Sequence, residues 1–241
     1  MKEIELSGGA VSSPVKVGNT VRRVAGPWTP TIHGLLDYLA DHGFDLAPRP
    51  LGVDEKGREI LTFMPGEAAH RPWPPVLKSD DGLRQVAKML RDYHDVIVNF
   101  VPPIDAVWRL GKVAHKPGDI IRHGDLGPWN TLWKERDLVA LLDWDFAQPG
   151  NRITDLAQLA WYFAPMRGDE GWVKAGFVQL PDLRHRVNVI CEGYGGYSSE
   201  ELLNELDQLQ HKDLELTARL GGAGVHPWNL FYNRVGMAMI E

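Results

Sequence analysis

The stretch from Ile120 to Trp161, IIRHGDLGPWNTLWKERDLVALLDWDFAQPGNRITDLAQLAW, limits the fold of this chain more than any other. Two β-like runs, Thr131–Lys134 and Leu138–Leu142, flank the charged turn Glu135-Arg136-Asp137, a pattern that predicts a hairpin. Pairing outward from the turn sets Asn130 roughly opposite Leu142 and Asp143. An amide oxygen and a carboxylate then come within the few ångströms that one cation can bridge. Such oxygen ligands suit Mg²⁺, which takes one or two carboxylates, substrate phosphates and water. Asp125, on the loop entering the hairpin, has no evident partner and is free to act as a base.

The segments on either side differ in character. Before residue 67 the pattern is that of short strands with one helix. Pro14 to Val24 alternates around the turn Gly18-Asn19, which predicts a hairpin, and Leu51–Val53 and Arg58–Met64 predict two more antiparallel strands. Thr29-Pro30 is expected to open a helix, with Thr29 as its cap, Ile32, Leu35, Leu36 and Leu39 as its apolar stripe and Gly43 as its end. Residues 67–78 are proline-rich and aperiodic, as in a connector. From Ser79 onward Leu83, Val86, Ala87, Leu90 and Ile97 keep helical spacing. Further helices are expected at about 153–164, 182–194 and 199–220, the last opened by a Ser198/Glu201 capping box. The expected class is therefore α+β, with a small antiparallel sheet first and a mainly helical part after it.

Composition narrows the function. The 241 residues are 44% hydrophobic, enough to bury a core, and carry a formal charge of −6 with no basic stripe. That argues against nucleic acid as a partner. The N-terminus lacks a signal-peptide pattern and no window is apolar enough to span a bilayer, so a cytoplasmic protein without membrane contact is expected. Cys191 is the sole cysteine, which excludes an internal disulfide and a cysteine zinc cage. It reads as a buried, inert thiol.

HGDLGPWN at 123–130 resembles the catalytic loop of the aminoglycoside phosphotransferase and choline kinase family, distant relatives of protein kinases, and LLDWDFA at 141–147 resembles its metal-binding strand end. ITDLAQLAW at 153–161 is similar to the helix whose aspartate anchors that loop. The resemblance implies a two-lobed, protein-kinase-like fold: a nucleotide-binding lobe at 1–66, a linker at 67–78 and a C-terminal lobe with the catalytic loop and acceptor site at 79–241. It also implies roles: Asp125 as base, Asn130 and Asp143 as Mg²⁺ ligands, His123 and Asp155 as structural supports. Arg23, or alternatively Arg22, falls where the family has a phosphate-binding lysine. Gly8 and Gly9, in Ser7-Gly8-Gly9-Ala10, match a phosphate-covering turn, and Thr62 and Met64 belong to LTFMPGE, which looks like the interlobe hinge. The helix glutamate that pairs with the lysine has no counterpart, since TPTIHGLLDYL offers His33 near that place. Asp145 is expected to be solvated or to support Asp143, and the tryptophans that follow prolines, Trp28, Trp73, Trp129 and Trp228, to pack loops.

The expected activity is transfer of the γ-phosphate of ATP or GTP to a hydroxyl of an amino sugar, amino alcohol or related small molecule. One alternative is a degenerate kinase fold that binds a ligand or confers immunity without catalysis. Another is a hydrolytic metal centre built from His123, Asp125, Asp143 and Asp145.

Overall fold

The computed structural model describes residues 2–6, 14–166, 168–226 and 228–232, so Gly8 and Gly9 lie outside the described residues. A five-stranded antiparallel sheet comes first: β1 (Glu3–Glu5), β2 (Val15–Val17), β3 (Thr20–Val24), β4 (Pro50–Val53) and β5 (Arg58–Thr62), in the order β1-β2-β3-β5-β4. Gly18, at φ 61°, turns β2 into β3 as its place in Gly18-Asn19 predicts. Between β3 and β4 runs helix α1 (Thr29–Asp41), which buries Ile32, Leu35, Leu36 and Leu39. Thr29 is not its cap. Trp28 holds that position, and the Thr29 hydroxyl instead accepts from the Gly26 amide at 2.9 Å, using its oxygen to close the preceding turn.

Residues 67–78 are anchored at a few points. They include strand β6 (Glu67–Ala68) and a 3₁₀ turn at Pro75–Lys78, and Ala69, Trp73, Val76 and Leu77 are buried. Helix α2 (Asp80–Ile97) starts at Ser79, whose hydroxyl caps the Gly82 amide, and buries Leu83, Val86, Ala87, Leu90 and Ile97. Strand β7 (Ile120–Arg122) leads into the loop before β8 (Thr131–Lys134) and β9 (Asp137–Leu141), and β10 (Gln148–Gly150) pairs back onto β7. Helices α3 (Arg152–Phe163), α4 (Asp169–Lys174), α5 (Leu183–Tyr194) and α6 (Ser199–Gly222) follow. The Ser198/Glu201 capping box is formed at the start of α6, while the six-residue α4 carried no period from which to expect it. Helices α2, α3 and α5 share one apolar core with Trp73, Trp108, Trp133 and Trp144. The site lies where this core meets the sheet. Among the described residues no helix is long and apolar enough to cross a membrane.

Candidate active site

The β8–β9 hairpin pairs Thr131 with Leu141, and one step further out the Leu142 amide donates to the Asn130 carbonyl at 2.7 Å. Asn130 thus stands opposite Leu142 at the open end of the hairpin, and Asp143 is the next residue along. The chain passes through Asp143 in the left-handed region, φ 60° and ψ 70°, before a 3₁₀ turn at Trp144–Phe146. Aspartate tolerates this conformation better than most residues, and such outliers concentrate at functional sites.

The loop carrying Asp125 is held from below. Asp155 on α3 is fully buried, and its Oδ2 accepts from the His123 amide at 2.7 Å while its Oδ1 accepts from the Gly124 amide at 3.2 Å. His94 Nε2 lies 3.3 Å from Asp155 Oδ2. Burial would raise this carboxyl, but the His94 hydrogen bond and the Arg122 charge outweigh it and hold Asp155 below the usual range. Gly124 has φ +78°, and a Cβ there would run into the Phe146 carbonyl, so only glycine lets the loop lie this close to the 144–146 turn. His123 is buried, with Nε2 on the Leu142 carbonyl at 3.0 Å and Nδ1 accepting from the Asp125 amide at 3.2 Å. Burial pushes its pKa down. Both ring nitrogens serve the loop, so neither is left to bind a metal. Among the described residues no cluster of three or more His, Cys, Asp or Glu side chains has metal-holding geometry, which leaves the hydrolytic-centre alternative without support.

Asp125 is partly buried and its pKa is pushed up to about 7, by desolvation first and then by the nearby Asp143 carboxylate. Hydrogen bonds from Asn130 and Trp129 and the charge of Arg109 pull in the opposite direction. The Asn130 amide nitrogen donates to both the Asp125 carbonyl and Asp125 Oδ2, each at 2.8 Å. That fixes the Asn130 side chain. Among the described residues, Asn130 Oδ1 and Asp143 Oδ2 have no hydrogen-bond partner. One neutral and one anionic oxygen make a donor set that fits Mg²⁺ completed by phosphate and water.

Arg23 on β3 reaches three carboxylates. Its Nε pairs with Glu59, Nη1 donates to Asp143 Oδ1 at 2.9 Å and Nη2 to Asp145 Oδ1 at 2.6 Å. Burial would lower its pKa, yet Asp145, Asp143 and Glu59 together hold it well above its ordinary range. Arg22 points elsewhere, toward Thr20 and Asp54. Glu59, the residue opposite Arg23 in the β3–β5 ladder, is 1% exposed and also meets His33 Nε2 at 3.1 Å. The acid that pairs with the strand cation thus comes from β5, and α1 contributes His33 to the same cluster. Glu59 was legible in principle: it shares the inward phase of β5 with Leu61, and an acid on a buried strand face needs a cation. Asp145 is buried between Arg23 and Arg109, whose Nη1 donates to Asp145 Oδ2 at 2.8 Å. Desolvation raises the Asp145 carboxyl in spite of Arg23. Thr62 ends β5, three residues or about 10 Å along the strand from Glu59, and Met64 lies two residues beyond it.

A model of the phosphotransferase enzyme family, APH, matches residues 104–187, which contain the whole Asp125–Asp155 constellation. The chain is 35% identical over 198 residues to the trifolitoxin immunity protein of Rhizobium leguminosarum bv. trifolii, covering 80% of this chain and 74% of that one. The chain belongs to the phosphotransferase enzyme family. Among solved structures it is similar to a choline/ethanolamine kinase family protein from Mesorhizobium loti, at 14% identity and TM-score 0.56 over 97% of this chain and 85% of that one. It is also similar to the aminoglycoside phosphotransferase APH(2'')-Ib with ADP, at 11% identity and TM-score 0.60 over 90% and 84%. The fold of this family member is accordingly kinase-like, α+β, with a small antiparallel sheet and a helical part.

Proposed function

We propose that the protein transfers the γ-phosphate of ATP or GTP, with Mg²⁺, to a hydroxyl of a small molecule such as an amino sugar or amino alcohol. The arrangement of Asn130 carries this reading: its amide nitrogen braces Asp125, and its oxygen has no hydrogen-bond partner among the described residues, at the end of the hairpin strand whose partner runs on into Asp143. Asp125 accepts the proton of the attacking hydroxyl, and its raised pKa suits a base working near neutral pH. Mg²⁺ held by Asn130 and Asp143 would supply charge neutralisation at the phosphate oxygens. His123 and Asp155 fix the loop so that Asp125 does not drift from the acceptor. On this reading residues 1–66 hold the nucleotide, with Arg23, Gly8, Gly9, Thr62 and Met64 as its contacts, 67–78 join the lobes and 79–241 hold the acceptor. The ADP carried by APH(2'')-Ib supports a nucleotide as co-substrate. Calorimetric titration of Mg·ATP and Mg·GTP into wild type and Asp143→Ala tests the site, with binding expected only in the wild type. Equal binding in both would refute it. Transfer to any hydroxyl that survives Asp125→Asn would refute the base.

Two observations favour a second reading, in which the protein binds a ligand or confers immunity without catalysis. A relative carries the name of an immunity protein, and Arg23 is already held by three carboxylates. Protection of cells that persists undiminished in Asp125→Asn and Asp143→Ala would select it.

A further inference from the structure

Arg23 and Arg109 both line a pocket of about 140 Å³, together with Val24, Trp28, Asp143, Asp145 and Phe146. Pockets for drug-sized ligands measure roughly 300–1,000 Å³, so this one is scaled to a small group. The two guanidiniums differ in what they have left to give. All three nitrogens of Arg23 meet carboxylates. Arg109 meets one, Asp145, through Nη1 alone. Among the described residues its Nε and Nη2 make no hydrogen bond, and neither is a buried atom lacking a partner, so both keep some exposure on a side chain that lines the pocket. Its plane is fixed all the same: the guanidinium carbon lies 4.5 Å from the Trp28 ring centroid and 4.9 Å from that of Phe146. The Arg109 charge is also felt at Asp125, which it pulls down.

We infer that Arg109 is a catalytic residue that binds the transferring phosphoryl group. This rests on the phosphotransfer reading and adds to it a second cation, outside the strand position where the resemblance put one. A guanidinium presents five N–H donors in a rigid fork that matches phosphate oxygens. Arg109 has donors to spare, is held in advance by two aromatic rings and one ion pair, and lines the same pocket as Asp143, the carboxylate proposed to bind the metal. Charge developing on the phosphoryl oxygens would then meet a donor that need not reorganise. A purely structural pillar between Trp28, Phe146 and Asp145 would serve the fold equally well with diphosphate or triphosphate bound. The discriminating variable is therefore the γ-phosphate.

The test is calorimetric binding of Mg·ADP and of the Mg complex of the β,γ-imido analogue of ATP to wild type, Arg109→Ala and Arg109→Lys. Thermal melts of the unliganded proteins establish that each variant folds. Arg109→Ala is expected to lose about 10- to 100-fold in affinity for the triphosphate analogue, the range of a charge-assisted hydrogen bond, and less than about threefold for ADP. Arg109→Lys keeps the charge and the Asp145 pair and loses the fork, so its loss should be smaller and again confined to the triphosphate. Equal losses for both nucleotides, or none, would overturn the inference and leave the phosphotransfer reading standing. A wild type that binds neither nucleotide would overturn both. Should Arg109→Ala fail to fold, the Arg109→Lys comparison alone decides.

Discussion

Asp125→Asn should abolish transfer and at the same time stabilise the unliganded protein, by an amount that depends on pH in a defined way. The wild-type carboxyl titrates at about 7 in the folded chain, raised by burial and by Asp143, against roughly 3.9 in the unfolded one. Between those values the folded state binds the extra proton, so wild-type stability falls as pH rises from about 4 to about 7 and levels off above. Three pH units at ~1.4 kcal/mol each set a ceiling of about 4 kcal/mol. Solvent reaches part of this side chain and screens the repulsion, so the gain from the neutral amide at pH 8 is expected to be about 1–3 kcal/mol. An asparagine keeps an acceptor for the Asn130 amide, which limits new losses. The assay is urea unfolding of both proteins without metal from pH 4 to 9. The difference should be near zero at pH 4, open through the window and stay constant above pH 8. An Asp125→Asn variant that is no more stable at pH 8, or a gap that opens outside that window, would refute the burial-and-repulsion account of Asp125.

Asp155→Asn replaces one of the two buried oxygens that accept from the His123 and Gly124 amides with a donor and removes the charge, and should cost about 2–4 kcal/mol, measured by urea midpoints at pH 7. Because the folded pKa of Asp155 is depressed, its contribution is present above pH ~4 and lost as pH falls through the folded value, so the gap from wild type should close in acid. Glu59→Gln leaves the Arg23 Nε and His33 without their anion while Asp143 and Asp145 still hold the guanidinium. The expected loss is about 1–3 kcal/mol in the same assay. Ser198→Ala breaks the capping box of α6 and should destabilise by about 0.5–2 kcal/mol in a thermal melt, with no change at the site.

The elements most legible in the sequence were those whose signal is local. Helix α2 announces itself by its apolar spacing and by Ser79, and the β8–β9 hairpin by its charged turn, so the place of Asn130 opposite Leu142 followed from counting outward. Thr29 misled because a cap signature and a turn-closing hydroxyl use the same residue types. Contacts between distant segments were not legible. No pattern in the sequence joins Arg109 to Asp145 or Trp28, since the segment that carries Arg109 has neither helical nor strand periodicity and is placed only by packing.

The Arg23 cluster follows from replacing a point charge with a fork. A lysine at that strand position has one ammonium and is satisfied by one acid, whereas a guanidinium offers donors on three nitrogens and will gather partners around its plane. Here the partners are Glu59 from the neighbouring strand and the two aspartates of the 143–145 turn, with His33 of α1 behind Glu59. The acid no longer has to come from the helix, which accounts for the missing glutamate in TPTIHGLLDYL without loss of the ion pair. The same substitution leaves each nitrogen of Arg23 ion-paired with a carboxylate. On the proposed reading, charge on the transferring phosphoryl group would be met by Mg²⁺ held at the free Asp143 Oδ2 and by Arg109, with Arg23 left to contact the rest of the nucleotide. If Arg23 rather than Arg109 carried that load, Arg23→Lys would impair triphosphate binding more than Arg109→Lys does. The assignment of the phosphoryl group to Arg109 gives the opposite order as the expected outcome, and parallel titration of the two variants with the β,γ-imido analogue reads it directly.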